Sequence, residues 1–289
     1  MDGRLTFLGT GTSMGVPTLG CGCAVCTSTD PRDRRLRPSA LVRWMEPRSE
    51  ISAFPPMRQE GGAWIGHPAE DDGGRERAVV IDTGPDFREQ ALRSRLRRVD
   101  AVLYTHWHAD HILGLDDLRP LSFAAFRAGG PIPLYAAETT TEVLERIFEY
   151  TFSPDATYPN RAKVKLMALA ARNAVHGVEF VRVPVMHGEM EIAGFRFGRT
   201  AYLTDVSAIP ETSFALLEGV ETLVLSALRH KPHPSHATVE QAVEWSRRIG
   251  AKQTWLTHIA HELSHESTNA ALPSGVALAY DGLELAVTL

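Results

Sequence analysis

Near the middle of the chain, His106-Trp107-His108-Ala109-Asp110-His111 puts four metal-ligating side chains where an apolar run, residues 101–104, opens into a loop. No other feature of the sequence limits the fold as strongly. In extended backbone alternate side chains share a face, so His106 and His108 point the same way and can hold one ion. Asp110 and His111 fall after the turn and reach a second position beside the first. Imidazole with carboxylate suits zinc, manganese or iron, and without a metal these groups would bury mutually unfavourable polar surface. Four side chains do not complete two sites. The remaining ligands must come from other strand ends, and His187 after the run 178–185, Asp205 after 201–204 and His258 after 254–257 all qualify. Taken alone, each is as readily a structural or surface residue. Together with the first cluster they line one edge of the sheets.

The surrounding pattern is mixed α and β. Short β-branched or apolar runs bounded by turn residues read as strands at 5–8, 40–44, 78–81, 101–104, 132–135, 178–185, 195–197, 201–203, 222–225, 254–256, 276–280 and 283–287. Helical periodicity appears at 86–96, 118–127, 139–148, 210–217 and 238–249. Many short strands with few helices predict two sheets packed face to face with helices outside. Residues 46–77 break the rhythm with Pro55-Pro56, Gly61-Gly62 and Asp71-Asp72-Gly73-Gly74, and read as a surface insertion, mobile at its tip, joining two strands of a single domain spanning 1–289. With 289 residues, 44% of them hydrophobic, the chain is long enough to bury a core without relying on disulfides.

The ligand pattern resembles the metallo-β-lactamase superfamily, whose hallmark is this His-x-His-x-Asp-His sequence followed by His, Asp and His on later strand ends. The resemblance covers nearly the whole chain and implies an α+β fold, the four-layer αββα sandwich. By that similarity one metal is held by His106, His108 and His187, the other by Asp110, His111 and His258, with Asp205 bridging them. Asp82, in Val80-Ile81-Asp82-Thr83-Gly84, matches the aspartate that orients a ligand histidine in the superfamily.

Only three cysteines occur, in Cys21-Gly22-Cys23-Ala24-Val25-Cys26, too few and too close for a disulfide framework. They can share one zinc with a fourth ligand. His261, three residues beyond His258, is the foremost candidate, with His265 and His67 behind it. The arginines that follow, Arg32, Arg34, Arg35 and Arg37, read as a solvated, partly salt-bridged loop, or else as a contact for an anionic substrate.

Phe7-Leu8-Gly9-Thr10-Gly11-Thr12-Ser13-Met14-Gly15-Val16-Pro17, the cysteine cluster, Leu256-Thr257-His258-Ile259-Ala260-His261 and the ending Ala271-Leu272-Pro273-Ser274-Gly275 with Asp281-Gly282 together look like the phosphoribosyl 1,2-cyclic phosphate phosphodiesterases of the carbon–phosphorus lyase pathway. Those enzymes are similar to the ribonuclease Z branch but lack its long substrate arm. The resemblance implies a structural zinc on Cys21, Cys23, Cys26 and His261, two divalent ions (zinc or manganese) at the active site, and hydrolysis of a small, cyclic phosphodiester by a metal-bound hydroxide. Asp110 and His236 are the candidate catalytic residues. His236, just before the helix 238–249, matches a family histidine and would donate a proton to the leaving alkoxide, its pKa raised beside an anionic substrate, or else hydrogen-bond a ligating carboxylate. The alternatives are a ribonuclease Z-like nuclease, a cyclic nucleotide phosphodiesterase, a thioester or lactone hydrolase, and a non-catalytic zinc-binding relative.

A net charge of −5 gives no basic field for a long nucleic acid, so the expected partner is a small anionic phosphodiester. No signal peptide or membrane span is evident, which makes the cytoplasm the expected location. A homodimer is left open.

Overall fold

The computed structural model describes residues 1–46, 74–155 and 157–289. Six strands build most of one sheet: β1 (Asp2–Gly9), β2 (Ser39–Glu46), β3 (Arg75–Ile81), β4 (Ala101–Leu103), β5 (Ile132–Ala136) and β6 (Val164–Ala168). The chain then crosses to a second sheet of β7 (Arg172–Val175), β8 (Val178–His187), β9 (Met190–Phe197), β10 (Thr200–Leu203), β11 (Thr222–Ser226), β12 (Gln253–Thr257) and β13 (Val276–Leu278), and returns to the first as β14 (Glu284–Thr288). The strand orders are β14-β1-β2-β3-β4-β5-β6 and β13-β12-β11-β10-β9-β8-β7. Each sheet is half antiparallel and half parallel. The parallel ladders run β3-β4-β5-β6 in one and β10-β11-β12-β13 in the other.

Alternation along the strands sets the layers. On β3, Val79 and Ile81 enter the core between the sheets while Ala78 and Val80 face outward. On β11, Val224 points inward and Leu223 and Leu225 point out. Leu5, Phe7, Val42 and Leu103 of the first sheet meet Phe180, Phe195, Phe197 and Tyr202 of the second in the central core. Because both faces of the central strands are covered, their sequences (Ala101-Val102-Leu103, Leu223-Val224-Leu225) are continuously apolar.

Helices complete the outer layers: α1 (Phe87–Arg93), α2 (Ala109–Ile112), α3 (Arg119–Ala128), α4 (Glu138–Ile147), α5 (Glu149–Phe152), α6 (Glu211–Leu216), α7 (Val239–Ile249) and α8 (His265–Ala271). Phe87, Leu115, Leu118 and Leu144 pack on the first sheet, and Val239, Ala242 and Val243 of α7 on the second. Thr238 starts α7 with a reciprocal capping box to Gln241, and Gly250 ends it at φ +77°. The result is the expected αββα sandwich.

Some boundaries differ from expectation. β6, β7, α5 and α8 were not anticipated, β9 begins at Met190 rather than 195, and β13 ends at Leu278 rather than 280. β6 is half-buried at Val164, Leu166 and Met167 and exposed at Lys165 and Ala168, and Lys165 interrupts the apolar run that marks its neighbours. Most of the expected insertion 46–77 lies outside the described residues. Its flanks pair directly, Glu46 opposite Arg75, and Arg77 bonds both Glu46 and Asp100. Among the described residues no helix is long and apolar enough to cross a membrane.

Candidate metal centre

The ends of β3, β4, β8, β10 and β12 bring the expected residues together. Beyond β3, Asp82 takes φ +63° and its carboxylate receives three bonds: from Thr105 N (2.8 Å), Thr105 Oγ1 (2.8 Å) and His111 Nδ1 (2.7 Å). The loop after β4 is thereby stitched to the end of β3. Thr83 N donates to His111 O at 2.8 Å, and a Cβ at Gly84 would overlap the Asp110 carbonyl oxygen. Only glycine lets α2, which presents Asp110 and His111, sit this close.

Two ligand sets result. In the first, His106 Nε2 lies 3.0 Å from His108 Nδ1, and the His187 ring is 5.4 and 5.0 Å from those of His106 and His108. One ligand atom from each of the three falls within 4.8 Å of the others. His187 Nδ1 donates to Ser235 O at 2.7 Å, which leaves its Nε2 lone pair free. In the second set, Asp110, His111, Asp205 and His258 converge within the same limit. His111 Nε2 is 3.2 Å from both Asp110 Oδ2 and Asp205 Oδ2, and His258 Nδ1 is 3.2 Å from Asp205 Oδ2. Asp205 also groups with His187 and His236, so its carboxylate stands between the two sets.

The donor chemistry fits divalent cations. Among the described residues His111 Nε2, both ring nitrogens of His258 and Nδ1 of His236 are buried with no hydrogen-bond partner. Buried imidazole nitrogens are ordinarily satisfied, and converging with two carboxylates they form a set that could hold a divalent metal ion. Burial holds His106, His108 and His258 below the usual imidazole range, which keeps them neutral and able to donate a lone pair. His111 behaves oppositely. Burial disfavours its charge, but Asp110, Asp205 and Asp82 outweigh that and push its pKa well up.

Three non-glycine residues of this edge are left-handed: Asp82 (φ +63°), Asp205 (φ +59°) and His258 (φ +56°). Such backbone costs about 1–3 kcal/mol per residue and persists only where the surroundings enforce it. Here Asp82 and His258 follow directly on β3 and β12, and Asp205 lies two residues beyond β10, each at the edge where the cluster forms.

His236 reaches the cluster through the segment before α7. Its ring stacks 4.7 Å from that of His258, and Nδ1 is 3.8 Å from Asp205 Oδ1. Burial, with His258 beside it, lowers its pKa to about 3. His230 pairs with Glu240 at the exposed surface, and His233 stacks 5.0 Å from His236.

The three cysteines form a separate site. His261 Nδ1 lies 3.2, 3.5 and 3.4 Å from Sγ of Cys21, Cys23 and Cys26, a three-thiol, one-imidazole set. Among the residues considered as fourth partner, His261 is the one present. His265 bonds Asp33 through its backbone instead, and His67 lies outside the described residues. The backbone N–H of Cys26 holds the Cys23 thiol down to about 6, whereas burial pushes Cys26 up to about 11. The arginine-rich loop corrects one expectation. Arg35 is fully buried and paired with Asp33 at 3.1 Å, not solvated, while Arg32 and Arg37 do form the expected surface pairs with Asp30 and Asp86.

Sequence reasoning missed the groups that hold these residues in place: Thr105, the Ser235 carbonyl, Thr204 (Oγ1 2.8 Å from Asp205 Oδ2) and Asp281, which accepts from Thr10 N, Thr10 Oγ1 and Leu36 N. Asp281-Gly282 was visible only as part of a motif.

Residues 77–259 match the family described as Beta-lactamase superfamily domain. A solved structure of a new diphosphatase from the PhnP family superposes with a TM-score of 0.83 at 47% identity, covering 99% of this chain and 98% of that one. Among curated proteins, an octanoyltransferase of Porphyromonas gingivalis is 33% identical over 285 residues, 97% of this chain, and the chain spans about half (51%) of that relative's length. A ribonuclease Z of Anoxybacillus flavithermus is 26% identical over 246 residues, 65% of this chain and 78% of the relative.

Proposed function

The chain belongs to the Beta-lactamase superfamily domain family, and on that premise we propose that it is a metal-dependent hydrolase of small phosphodiesters. The observation that carries this reading is the convergence of His106, His108 and His187 on one side of Asp205 and of Asp110, His111 and His258 on the other. The first set would hold one divalent ion and the second another, with Asp205 available to either. Zinc or manganese bound there would acidify a water and neutralise charge gathering on phosphoryl oxygens.

The chain's own residues supply position and proton traffic. Asp82 fixes His111 as the Nδ1–H tautomer and so directs Nε2 into the site, and the Ser235 carbonyl does the same for His187. Asp110 orients on His111. His236, held low by burial, gains a proton when an anionic ester lies beside it and passes that proton to the departing alkoxide. In the alternative role it hydrogen-bonds Asp205. We read the cysteine set with His261 as holding a structural zinc. A net charge of −5 favours a small anionic ester over a long nucleic acid. A cyclic diester of the phosphoribosyl 1,2-cyclic phosphate type is the proposed substrate.

A second reading has a specific observation behind it. The 47% identical relative is described as a diphosphatase, so a phosphoanhydride is the competing substrate class for the same residues. The test is turnover of bis(4-nitrophenyl) phosphate beside a diphosphate diester. His108→Ala and Asp205→Ala should each lower hydrolysis by about a hundredfold or more while the fold is retained. Undiminished turnover in either variant would refute the proposal.

A further inference from the structure

His258 must be held in a left-handed backbone conformation at the start of a turn that ends, three residues later, in His261 of the cysteine set. What holds that turn is visible. Ile259 N donates to Thr10 O (2.9 Å), Thr12 N donates to Ile259 O (3.2 Å), and Ala260 N donates to Leu228 O (3.0 Å). The remaining backbone oxygen between the two histidines, Ala260 O, accepts from Leu263 N at 3.3 Å within the turn and from Nη1 of Arg35, across the fold, at 3.4 Å. Among the described residues Arg35 is the largest fully buried side chain, and its guanidinium also bonds Asp33 Oδ1, which accepts the backbone N–H of His265 at 2.8 Å. One buried ion pair thus grips the segment on both sides of His261, at residues 260 and 265.

A buried arginine is a poor way to gain stability, because desolvation offsets most of the attraction to its partner. This one ends on the carbonyl two residues after His258 and immediately before His261. Its Nε has no partner among the described residues, so it is anchored through its two terminal nitrogens alone.

We infer that Arg35, backed by Asp33, is a positioning residue for His258: its bond to the Ala260 carbonyl holds the strained turn that aims the His258 ring into the Asp110–His111–Asp205 group. The inference rests on the proposed metal-binding role of that group. The side-chain bonds of Arg35 among the described residues go to the Ala260 carbonyl and to Asp33, so it acts through the turn. His261, fixed from the other side by the cysteines, completes the clamp.

The experiment is a chelator competition titration of zinc on the full chain, paired with metal analysis, for wild type, Arg35→Met, Arg35→Lys and Asp33→Asn. In wild type the zinc bound by the His/Asp centre is distinguished from that of the cysteine site by a Cys21→Ser/Cys23→Ser control. Arg35→Met is expected to weaken zinc at the His/Asp centre about tenfold or more. The cysteine site should keep its ion, and Arg35→Lys should recover part of the loss. Asp33→Asn, which keeps the fold's packing volume, is expected to show a smaller loss of the same kind and decides the matter if Arg35→Met does not fold. Wild-type affinity at the His/Asp centre in the folded variants overturns the inference, whatever happens to melting temperature. If wild type itself binds zinc only at the cysteines, the proposed function fails, and this inference with it. If zinc binds but no phosphodiester is cleaved, only the function fails, and the titration still decides the role of Arg35.

Discussion

Asp82 Oδ2 accepts a hydrogen bond from His111 Nδ1 at 2.7 Å, with both side chains fully buried. That one contact sets the tautomer of His111 and the direction of its remaining nitrogen, toward Asp110 and Asp205. Replacing Asp82 by Asn keeps the size but removes the anion. We expect metal affinity at the His/Asp centre to fall about 10–100-fold, measured by competition with a chromophoric chelator, with the cysteine site unaffected.

The raised pKa of His111 has a measurable outcome. Burial alone would lower it, but three carboxylates outweigh burial, so without metal the ring is an imidazolium at neutral pH. A metal can bind its Nε2 only after a proton leaves. Zinc uptake should therefore release protons, and affinity should rise with pH. With the cysteine site already loaded with zinc, because its thiols release protons of their own, calorimetry in buffers of different ionisation enthalpy reads the proton count of the His/Asp centre. A binding enthalpy independent of the buffer would show that His111 is neutral beforehand.

Much of this centre was legible because its ligands stand at the ends of apolar strands: His106, Asp205 and His258 come after β4, β10 and β12 of the parallel ladders, and His187 closes the antiparallel β8. Neighbouring residues therefore reported on shared geometry. The supports were not legible. Asp281 pins Thr10, whose carbonyl in turn holds Ile259, and these partners lie hundreds of positions apart with nothing local to link them. Arg35 was misjudged for the same reason. An arginine among arginines reads as solvated until Asp33 and the Ala260 carbonyl are seen to enclose it. β6 escaped because it has no buried position and Lys165 interrupts the apolar run that marks the inner strands.

In the cysteine cluster the thiols are unequal. With zinc stripped by chelator, Cys23, held down to about 6, should react with iodoacetamide in a pH profile centred near that value, whereas Cys26, pushed up to about 11, should stay largely unreactive at neutral pH. Peptide mapping by mass spectrometry separates them. With zinc bound, all three should be protected.

His236→Ala tests the proton donor. Buried against His258 and facing Asp205, the ring is placed to serve a departing alkoxide. Turnover should fall about 10²–10⁴-fold for alkyl leaving groups and far less for 4-nitrophenolate, which leaves without a proton. An equal loss across leaving groups would assign His236 to orienting Asp205 instead.

The central claim is that the residues gathered around Asp205 hold two ions beside the one on the cysteines. The most direct measurement is the metal content of the purified wild-type chain against Asp205→Ala. The account predicts about three ions per wild-type chain and loss of ions from the His/Asp centre in the variant, with the cysteine zinc retained. One ion per chain in both proteins would contradict it.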